Sequence, residues 1–356
     1  MDKKLLDIYT DYLISSTRLT TATGLSDLLD SEISHDQITR FLSKENFGSK
    51  ELWQLVKKDV RQNEDSSGGV LIFDDTVEEK AYTDENDVIA WHYSHAKGGV
   101  VKGLNILTSL VHYEKGTFPV GFEVIKKDVR YCDLFTCQEK RMSSKSKNEL
   151  LRSMFLINLN NVKFDYVLFD NWFSAKENLE MVHEKNKLFI GGVKSNRTIA
   201  LSFEEKIKGN FIQIDKLSLE DLKPVDVYLK GISFPMRLMK KSFKNADDTT
   251  GILYLITNDL KNNGDEIYEI YQKRWKIEVY HKSIKSNTGL KKSPTKTVRT
   301  QVNHVFSSIY AYFKLEKLSL KTNMNHFALK SKLLLKANQA ALRELGNIRR
   351  LYAVTA

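Results

Sequence analysis

The fold is decided by the stretch VLIFDD, residues 70–75, an apolar run that ends in two acids. Such a run is typical of a buried strand whose end reaches a site. A second stretch, FDYVLFD at residues 164–170, has the same form and again ends in an acid. Because ligands bind at the ends of strands in α/β sheets, we expect Asp170 to lie near the acids Asp74 and Asp75.

The segments around these two stretches predict further strands and a helix. Two strand-like runs joined by a turn predict a hairpin over residues 104–125, and residues 145–160 have helical spacing. The runs LFIGGVK (188–194) and GILYLITN (251–258) predict two more buried strands. Residues 200–250 alternate more weakly, as the strands of a small inserted sheet do. The predicted fold class is α/β, with a mixed sheet flanked by helices and a mostly β insertion.

Composition and patterning divide the chain into five parts. We predict helical N- and C-terminal regions at residues 1–62 and 293–356, a core in two pieces at residues 68–199 and 251–292, and the β-rich insertion at residues 200–250. The first boundary rests on NEDSSGG, residues 63–69, whose small, polar and glycine residues are typical of a linker. The C-terminal region is basic, and a solvated helical face is expected to carry Lys330, Lys332 and Lys336.

The N-terminal region contains a helix, a short polar turn and a second helix over residues 22–44. This pattern fits a helix-turn-helix that enters a DNA groove. It fits a packed helical hairpin equally well, so both interpretations stay open.

The charge of the chain favours a polyanionic partner. The formal net charge is +10 at pH 7, which points to nucleic acid before a membrane surface. No apolar run approaches the roughly 20 residues that span a bilayer, and the N-terminus is too polar for a signal peptide. We therefore expect a cytoplasmic protein without a membrane partner. The two cysteines, Cys132 and Cys137, are too few for a disulfide framework or a zinc site and are expected to be reduced.

The stretch YQKRWKIEVYHKSIK, residues 271–285, predicts a helix with one carboxylate among many cations. At about 100° per residue, the apolar residues Ile277, Tyr280 and Ile284 lie on one side, where they can pack against a sheet. The opposite, presented face spans roughly 120° and carries Tyr271, Arg274, Trp275, Glu278, His281, Lys282 and Lys285. Glu278 either forms an ion pair with a neighbouring cation or joins the acids at the strand ends.

Three converging carboxylates repel one another unless a cation lies between them, so the cluster Asp74, Asp170 and Glu278 predicts bound divalent metal. Oxygen ligands alone suit Mg²⁺ or Mn²⁺. Asp75 remains an alternative to Asp74, because successive strand side chains point to opposite faces. Asp170 has the alternative role of capping the next helix. Beyond the first strand, Thr76, Glu78 and Glu79 are expected to lie in a loop.

The spaced pattern Y-x2-R-x3-E-x6-K is met by Tyr271, Arg274, Glu278 and Lys285. With D-x-T at Asp74 and Thr76 and the strand-end Asp170, residues 70–290 resemble DDE transposases of bacterial insertion sequences. The resemblance implies a ribonuclease-H-like core, two metal ions held by Asp74, Asp170 and Glu278, and phosphate contacts from Tyr271, Arg274 and Lys285.

The resemblance also implies the partners, which are double-stranded DNA with terminal inverted repeats and a target DNA, bound by a homodimer associated with a bacterial nucleoid. Other residues are expected to assist in DNA binding because of their position on the same helix face or just past a strand end. They are Trp275, His281, Lys282, Lys194 and Arg197. Two other functions fit the same residues, namely a metal-dependent nuclease or resolvase without strand transfer and a non-catalytic DNA-binding repressor.

Overall fold

The computed structural model describes residues 2–64, 68–94, 97–245 and 247–353. The chain forms two compact units. The first comprises Met1–Leu52, Val77–Leu104 and Tyr280–Ala356, and the second comprises Trp53–Thr76 and Asn105–Val279. The five-part division stays a prediction, and the central residues of the predicted linker, 65–67, lie outside the described part of the chain.

The first unit is mainly helical. Its helices are α1 (Lys3–Ser15), α2 (Ala22–Leu28), α3 (His35–Lys44), the start of α4 (Ser49–Gln62), most of α9 (Trp275–Asn287), α10 (Val298–Thr322) and α11 (His326–Ala353). Side-chain caps fix the starts of the two helices predicted over residues 22–44: Thr21 accepts the Gly24 N–H, and Ser34 forms a capping box with Gln37. Both predicted helices are confirmed, and their contact with DNA stays a prediction.

The first unit has an aromatic core. The rings of Phe47 and Phe306 are stacked with centroids 4.4 Å apart, and Phe41 packs beside Phe47. Lys330 was expected on a solvated face, and this is wrong because it is only 8% exposed. Its ammonium donates to the carbonyl oxygens of Ile14, in the last turn of α1, and of Ser16, the C-cap of that helix. Carbonyl groups at a helix C-terminus lack partners within the helix. Lys332 and Lys336 are exposed as expected.

The first unit also contains strand β2 (Ala90–Ser94), which pairs antiparallel with the start of β3 (Gly99–His112). Strand β1 runs from Val70 to Glu79, so the prediction of a loop at residues 76–79 is wrong. Glu78 is buried within this strand. Burial raises the pKa of its carboxyl, while Lys285, Lys291 and Lys80 act in the opposite direction. Nearby cations thus allow an acid to continue the strand into the protein interior.

The second unit is built on a mixed sheet. Its further strands are β4 (Thr117–Val124), β7 (Tyr166–Phe169), β8 (Leu188–Val193), β9 (Thr198–Ala200), β10 (Ile212–Gln213), β11 (Val225–Leu229), β12 (Met236–Lys244) and β13 (Thr250–Thr257). The order is β10-β9-β11-β12-β13-β8-β7-β1-β3, with β4 paired to β3. β1, β7 and β8 are parallel, whereas β8, β13, β12 and β11 pair antiparallel in turn.

Helices flank this sheet: α5 (Lys147–Asn161), α6 (Lys176–Glu184), the short α7 (Phe203–Lys208) and α8 (Gly264–Gln272). The central strands are apolar on both faces, and Leu71, Ile72, Phe73, Val167 and Leu168 have no exposed surface. The predicted α/β class is therefore confirmed, and the arrangement is consistent with a ribonuclease-H-like nuclease fold. Strands β5 (Val129–Asp133) and β6 (Gln138–Met142) form a separate two-stranded sheet that the sequence did not predict.

The helix predicted over residues 271–285 is broken in two. α8 ends at Gln272 and α9 begins at Trp275. At the break, the N–H groups of Lys273 and Arg274 donate to carbonyls three residues earlier, which is a tight 3₁₀-type turn. The predicted apolar side of α9 is confirmed, since Ile277, Tyr280 and Ile284 have no exposed surface. Among the described helices, none is long and apolar enough to cross a membrane.

Candidate active site

Asp74 and Asp170 occupy matching positions on adjacent parallel strands. The last paired residues of β1 and β7 are Ile72 and Leu168, and each acid follows two residues later. Neighbouring strands lie about 4.8 Å apart, and residues two apart along a strand share a face. The sheet therefore brings these two acids together just beyond the paired part of β1 and β7, although β1 itself continues to Glu79.

Glu278 reaches the same place from α9. A carboxylate oxygen of Glu278 and one of Asp74 lie within 4.8 Å of each other. Arg274 faces both acids, because its Nη1 lies 3.4 Å from Oδ2 of Asp74 and 3.7 Å from Oε1 of Glu278. The ion pair that the sequence offered as an alternative role for Glu278 is thus present. It exists together with the acid cluster and does not exclude it.

Burial, together with neighbouring carboxylates, raises the pKa values of Asp74 and Asp170. Burial raises the pKa of Asp74 to about 8, and the neighbouring carboxylates of Asp170 and Glu278 add to the rise although Arg274 opposes it. Burial also raises the pKa of Asp170, while the N–H groups of Phe173 and Trp172 act against the rise. Because the ionised form of these buried acids is unfavourable, the site favours a bound cation. Carboxylate oxygens suit a hard divalent ion.

Asp74 and Asp75 have different partners. Oδ2 of Asp75 lies 2.6 Å from the ammonium of Lys147 on α5, whereas Asp74 faces Arg274. The Asp75 carboxylate is still close enough to contribute to the raised pKa of Asp170. Asp74 is therefore the acid that lies near Glu278, whereas Asp75 is paired with Lys147.

Asp170 is not the cap of the next helix. α6 begins at Lys176, and its N-cap is Ala175. Oδ1 of Asp170 instead accepts the N–H groups of Trp172 at 2.9 Å and Phe173 at 3.3 Å. These two bonds hold the carboxylate in a fixed orientation just beyond the end of β7.

Tyr271 and Arg274 pack together beside the acids. The Arg274 guanidinium lies 5.8 Å from the centroid of the Tyr271 ring. Tyr271 is only 8% exposed, and its burial raises the pKa of its hydroxyl, with Asp170 and Asp74 contributing to the rise. The expectation that the whole polar face is presented is therefore wrong for Tyr271, which belongs with Ile267 to the buried residues of α8.

The remaining residues of the predicted face differ in their exposure. Trp275 is 66% exposed, whereas His281 is 6% exposed and thus also departs from the expected presented face. Lys282 is exposed, with its ammonium 5.3 Å from the centroid of the Phe327 ring. Lys285 donates to the carbonyl oxygen of Val77 at 2.8 Å. Their contacts with DNA stay predictions.

A pocket of about 260 Å³ lies beside Asp170, and Lys194 and Arg197 line it as basic residues. Its other lining residues include Trp172, Asn171 and Asn148. The ammonium groups of Lys147 and Lys194 lie 5.8 and 5.9 Å from the Trp172 ring centroid. Sequence reasoning missed Trp172 and Lys147. The signal for Trp172 was its place two residues after a strand-end acid, whereas nothing local marked Lys147.

Residues 1–208 match the family model described as DDE superfamily endonuclease, and residues 134–314 match the model described as Transposase DDE domain. Each match covers more than half of the chain, so the chain belongs to the DDE superfamily of transposases and endonucleases.

Other comparisons are more distant. No curated protein matches the chain. Among solved structures, the chain is similar to a Kluyveromyces polysporus Argonaute crystallised with a guide RNA, at 11% sequence identity and a TM-score of 0.25. The similarity covers 71% of this chain and 34% of the Argonaute chain. The chain thus spans about a third of the length of that protein.

Proposed function

We propose that this chain is a DNA transposase of the bacterial insertion-sequence type. It hydrolyses phosphodiester bonds at the ends of a mobile element and transfers the freed 3′-hydroxyl into a target DNA. The observation that carries the proposal is the placement of Asp74 beside Asp170 on parallel strands, with a Glu278 oxygen within 4.8 Å of Asp74. The Y-x2-R-x3-E-x6-K spacing that contains Glu278 supports the particular type of transposase.

Two Mg²⁺ or Mn²⁺ ions are the proposed cofactors. The donor set fits them, because Asp74, Asp170 and Glu278 offer only carboxylate oxygens. Burial and the neighbouring carboxylates raise the pKa of Asp74 even though Arg274 opposes the rise. Bound there, such ions supply activation of the attacking oxygen and stabilisation of the leaving oxygen in an in-line displacement at phosphorus. Asp74, Asp170 and Glu278 would hold these ions through their carboxylate oxygens.

The residues around the acids orient them and the DNA. The N–H groups of Trp172 and Phe173 both donate to Oδ1 of Asp170 and fix its carboxylate. Arg274 is close to Asp74 and Glu278, and a guanidinium in that position binds a phosphate oxygen of DNA as well as the acids. We propose that the Tyr271 ring positions the Arg274 guanidinium. Tyr271 and Arg274 are both proposed to contact the cleaved DNA strand.

The basic residues outside the cluster are proposed to bind the DNA backbone. Lys194 and Arg197 line the pocket beside Asp170, where they suit the phosphates next to the reacting one. Helix α9, which carries Glu278, is proposed to make further contacts with the DNA backbone. The residues proposed for these contacts are Trp275, His281, Lys282 and Lys285. The partners are a duplex with terminal inverted repeats and a target duplex, bound by a homodimer at the bacterial nucleoid.

The proposal is tested with a labelled duplex that carries the inverted repeat flanking the gene, together with a supercoiled target plasmid. Wild-type protein with Mg²⁺ is expected to give a cleaved end and a labelled plasmid. Asp74→Asn, Asp170→Asn and Glu278→Gln are each expected to abolish both products. Cleavage without joined product would favour a nuclease or resolvase, and Mg²⁺-independent binding without cleavage would favour a repressor.

A further inference from the structure

The β5–β6 ribbon is a feature that the proposed chemistry does not use. Strands Val129–Asp133 and Gln138–Met142 pair with each other and form their own two-stranded sheet. Four of the five residues of β5 are exposed, and the fifth, Asp133, is half-buried. A two-stranded hairpin is marginally stable on its own in water, so the chain must hold this one in shape by other contacts.

Those contacts lie at both ends of the ribbon. At the base, the Ser144 N–H donates to Oδ1 of Asp128 at 2.9 Å, and its hydroxyl donates to Oδ2 at 2.8 Å. At the tip, Oδ1 of Asp133 accepts the N–H groups of Phe135 and Thr136, both at 3.0 Å. The Asp133 carboxylate is also paired with Lys140. The tip is therefore an ordered turn that positions its side chains.

The ordered tip presents two large apolar side chains to solvent. Leu134 is 88% exposed and Phe135 is fully exposed. On one face of the ribbon, Tyr131 and Met142 are also exposed, at 41% and 51%. An isolated exposed leucine needs no explanation, but adjacent apolar residues at the end of a projecting, braced turn mark an interaction site.

The charge of the ribbon selects the kind of partner. Residues 126–145 contain six Lys or Arg and three Asp or Glu, which gives a local net charge of +3. Arg130 and Arg141 are directly opposite each other in the ladder. Like charges in this position destabilise a β-ribbon, even though Glu139 lies 3.3 Å from Arg130. An anionic partner removes this repulsion, whereas a second copy of the same basic ribbon increases it.

We propose that the β5–β6 ribbon is an arm that binds duplex DNA in its major groove. That groove is about 12 Å wide and admits a two-stranded ribbon, and apolar side chains contact thymine methyl groups there. Arg130 and Arg141 bind phosphates, and Leu134 and Phe135 lie against base edges. The inference rests on the proposed function only in taking DNA as the partner. It does not depend on the cleavage or strand-transfer chemistry.

The chain offers a direct probe of this contact. Its two cysteines, Cys132 and Cys137, are both free, both exposed and both on the ribbon. Alkylation with iodoacetamide, followed by mass spectrometry of the full chain, therefore reports on the ribbon alone. In EDTA, which prevents cleavage, saturating duplex DNA is expected to slow alkylation of both thiols. An unchanged rate at saturation would overturn the proposal.

Two double variants separate the apolar and the charged contacts. Leu134→Ser with Phe135→Ser is expected to raise Kd for the duplex roughly 10- to 100-fold at a constant salt slope. Arg130→Gln with Arg141→Gln is expected to lower the slope of log Kd against log salt by about 0.9 for each phosphate that is no longer neutralised. Ile207→Ser and Lys185→Gln, at exposed positions on other elements, are the matched controls.

The outcomes also distinguish this proposal from the proposed function. If the ribbon variants bind DNA like wild type while Glu278→Gln still abolishes cleavage, the arm is refuted and the transposase assignment stands. If wild-type protein binds DNA and protects its thiols but never cleaves, the transposase assignment fails and the arm stands. A change in the molecular mass of the DNA-free protein on Leu134→Ser with Phe135→Ser would overturn the arm in favour of self-association.

Discussion

Nη1 of Arg274 lies 3.4 Å from Oδ2 of Asp74 and 3.7 Å from Oε1 of Glu278, so one guanidinium faces two of the three proposed catalytic acids. The Arg274 and Asp74 side chains are only 17% and 13% exposed. At such positions a cation that compensates two carboxylates contributes to stability, because its loss leaves buried charge without a partner. Divalent metal between the same acids supplies positive charge of the same kind.

We therefore expect Arg274→Met to destabilise the metal-free protein by about 1–3 kcal/mol. Mg²⁺ is expected to recover more stability in this variant than in wild type. Urea unfolding in EDTA and in Mg²⁺ measures both effects. Lys185→Met, at an exposed position, is the control for loss of a cation. A variant that is as stable as wild type in EDTA would show that Arg274 does not compensate the acids.

Asp74→Asn and Asp75→Asn are expected to differ strongly in DNA cleavage. Asp74 points toward Glu278 and Arg274, whereas Asp75 is held by Lys147 at 2.6 Å. Loss of the Asp74 carboxylate is expected to reduce cleavage at least about a thousandfold, or about 4 kcal/mol in the barrier. Asp75→Asn is expected to retain activity within about tenfold of wild type.

The measurement for this pair is the initial rate of cleavage of a labelled element end at saturating Mg²⁺. Thermal unfolding of both variants controls for loss of fold. If Asp75→Asn proves inactive and Asp74→Asn active, the acid that holds the metal is Asp75, and the roles proposed for the two neighbours must be exchanged.

His304 makes the stability of the protein depend on pH. It is buried between Tyr9, whose hydroxyl lies 2.9 Å from Nδ1, and the Gly289 carbonyl oxygen, 3.1 Å from Nε2. Burial, with a smaller effect of Lys80, lowers the pKa of the imidazole to about 3. Below pH 6.5 the unfolded chain therefore binds a proton that the folded chain excludes, and stability is lost as the pH falls from 6.5 toward 3.

Between pH 7 and pH 5 this group alone is expected to cost about 2 kcal/mol of unfolding free energy. Urea unfolding at a series of pH values, compared with His304→Gln, isolates its contribution. The variant is expected to be less stable than wild type at pH 7 and to show a shallower loss toward pH 5. Equal slopes for both proteins would contradict the assignment.

The sequence predicted the features that local patterns encode. The acids that follow the apolar runs of β1 and β7, and the buried side of α9, follow from runs of apolar residues and from helical spacing. The extension of β1 through Glu78 could not be predicted, because it depends on cations from distant segments. Lys330 is buried for a similar reason, since its partners are carbonyl groups at the end of α1.

The break at Lys273 and Arg274 was missed because neither residue is a glycine or proline that would signal the end of a helix. The β5–β6 ribbon was missed because its strands are polar and exposed and show no apolar alternation. The pairing of Asp75 with Lys147 is a tertiary contact between β1 and α5, and no local pattern reports it. The sequence therefore did not predict which distant residue each charged side chain contacts.

Gly191 on β8 is expected to tolerate no side chain, because its neighbours pack closely around it. Those neighbours lie next to Asp170 of the candidate active site. A Cβ at this position would lie 2.5 Å from Oγ of Ser174 and 2.7 Å from the Phe169 ring. Both groups adjoin Asp170, since Phe169 ends β7 and the Ser174 hydroxyl donates to the Asp170 carbonyl oxygen at 3.2 Å. Because Phe169 has no exposed surface, its ring cannot move into solvent.

Gly191→Ala is therefore expected to destabilise the protein by about 1–3 kcal/mol through overpacking and to reduce cleavage even where the protein remains folded. Urea unfolding and the rate of end cleavage at a temperature well below unfolding measure the two effects. Gly99→Ala is the control, because a Cβ there has no neighbour closer than 4.0 Å. Loss of stability with full activity would indicate that β8 shifts without displacing Asp170, and an unchanged stability would contradict the packing argument itself.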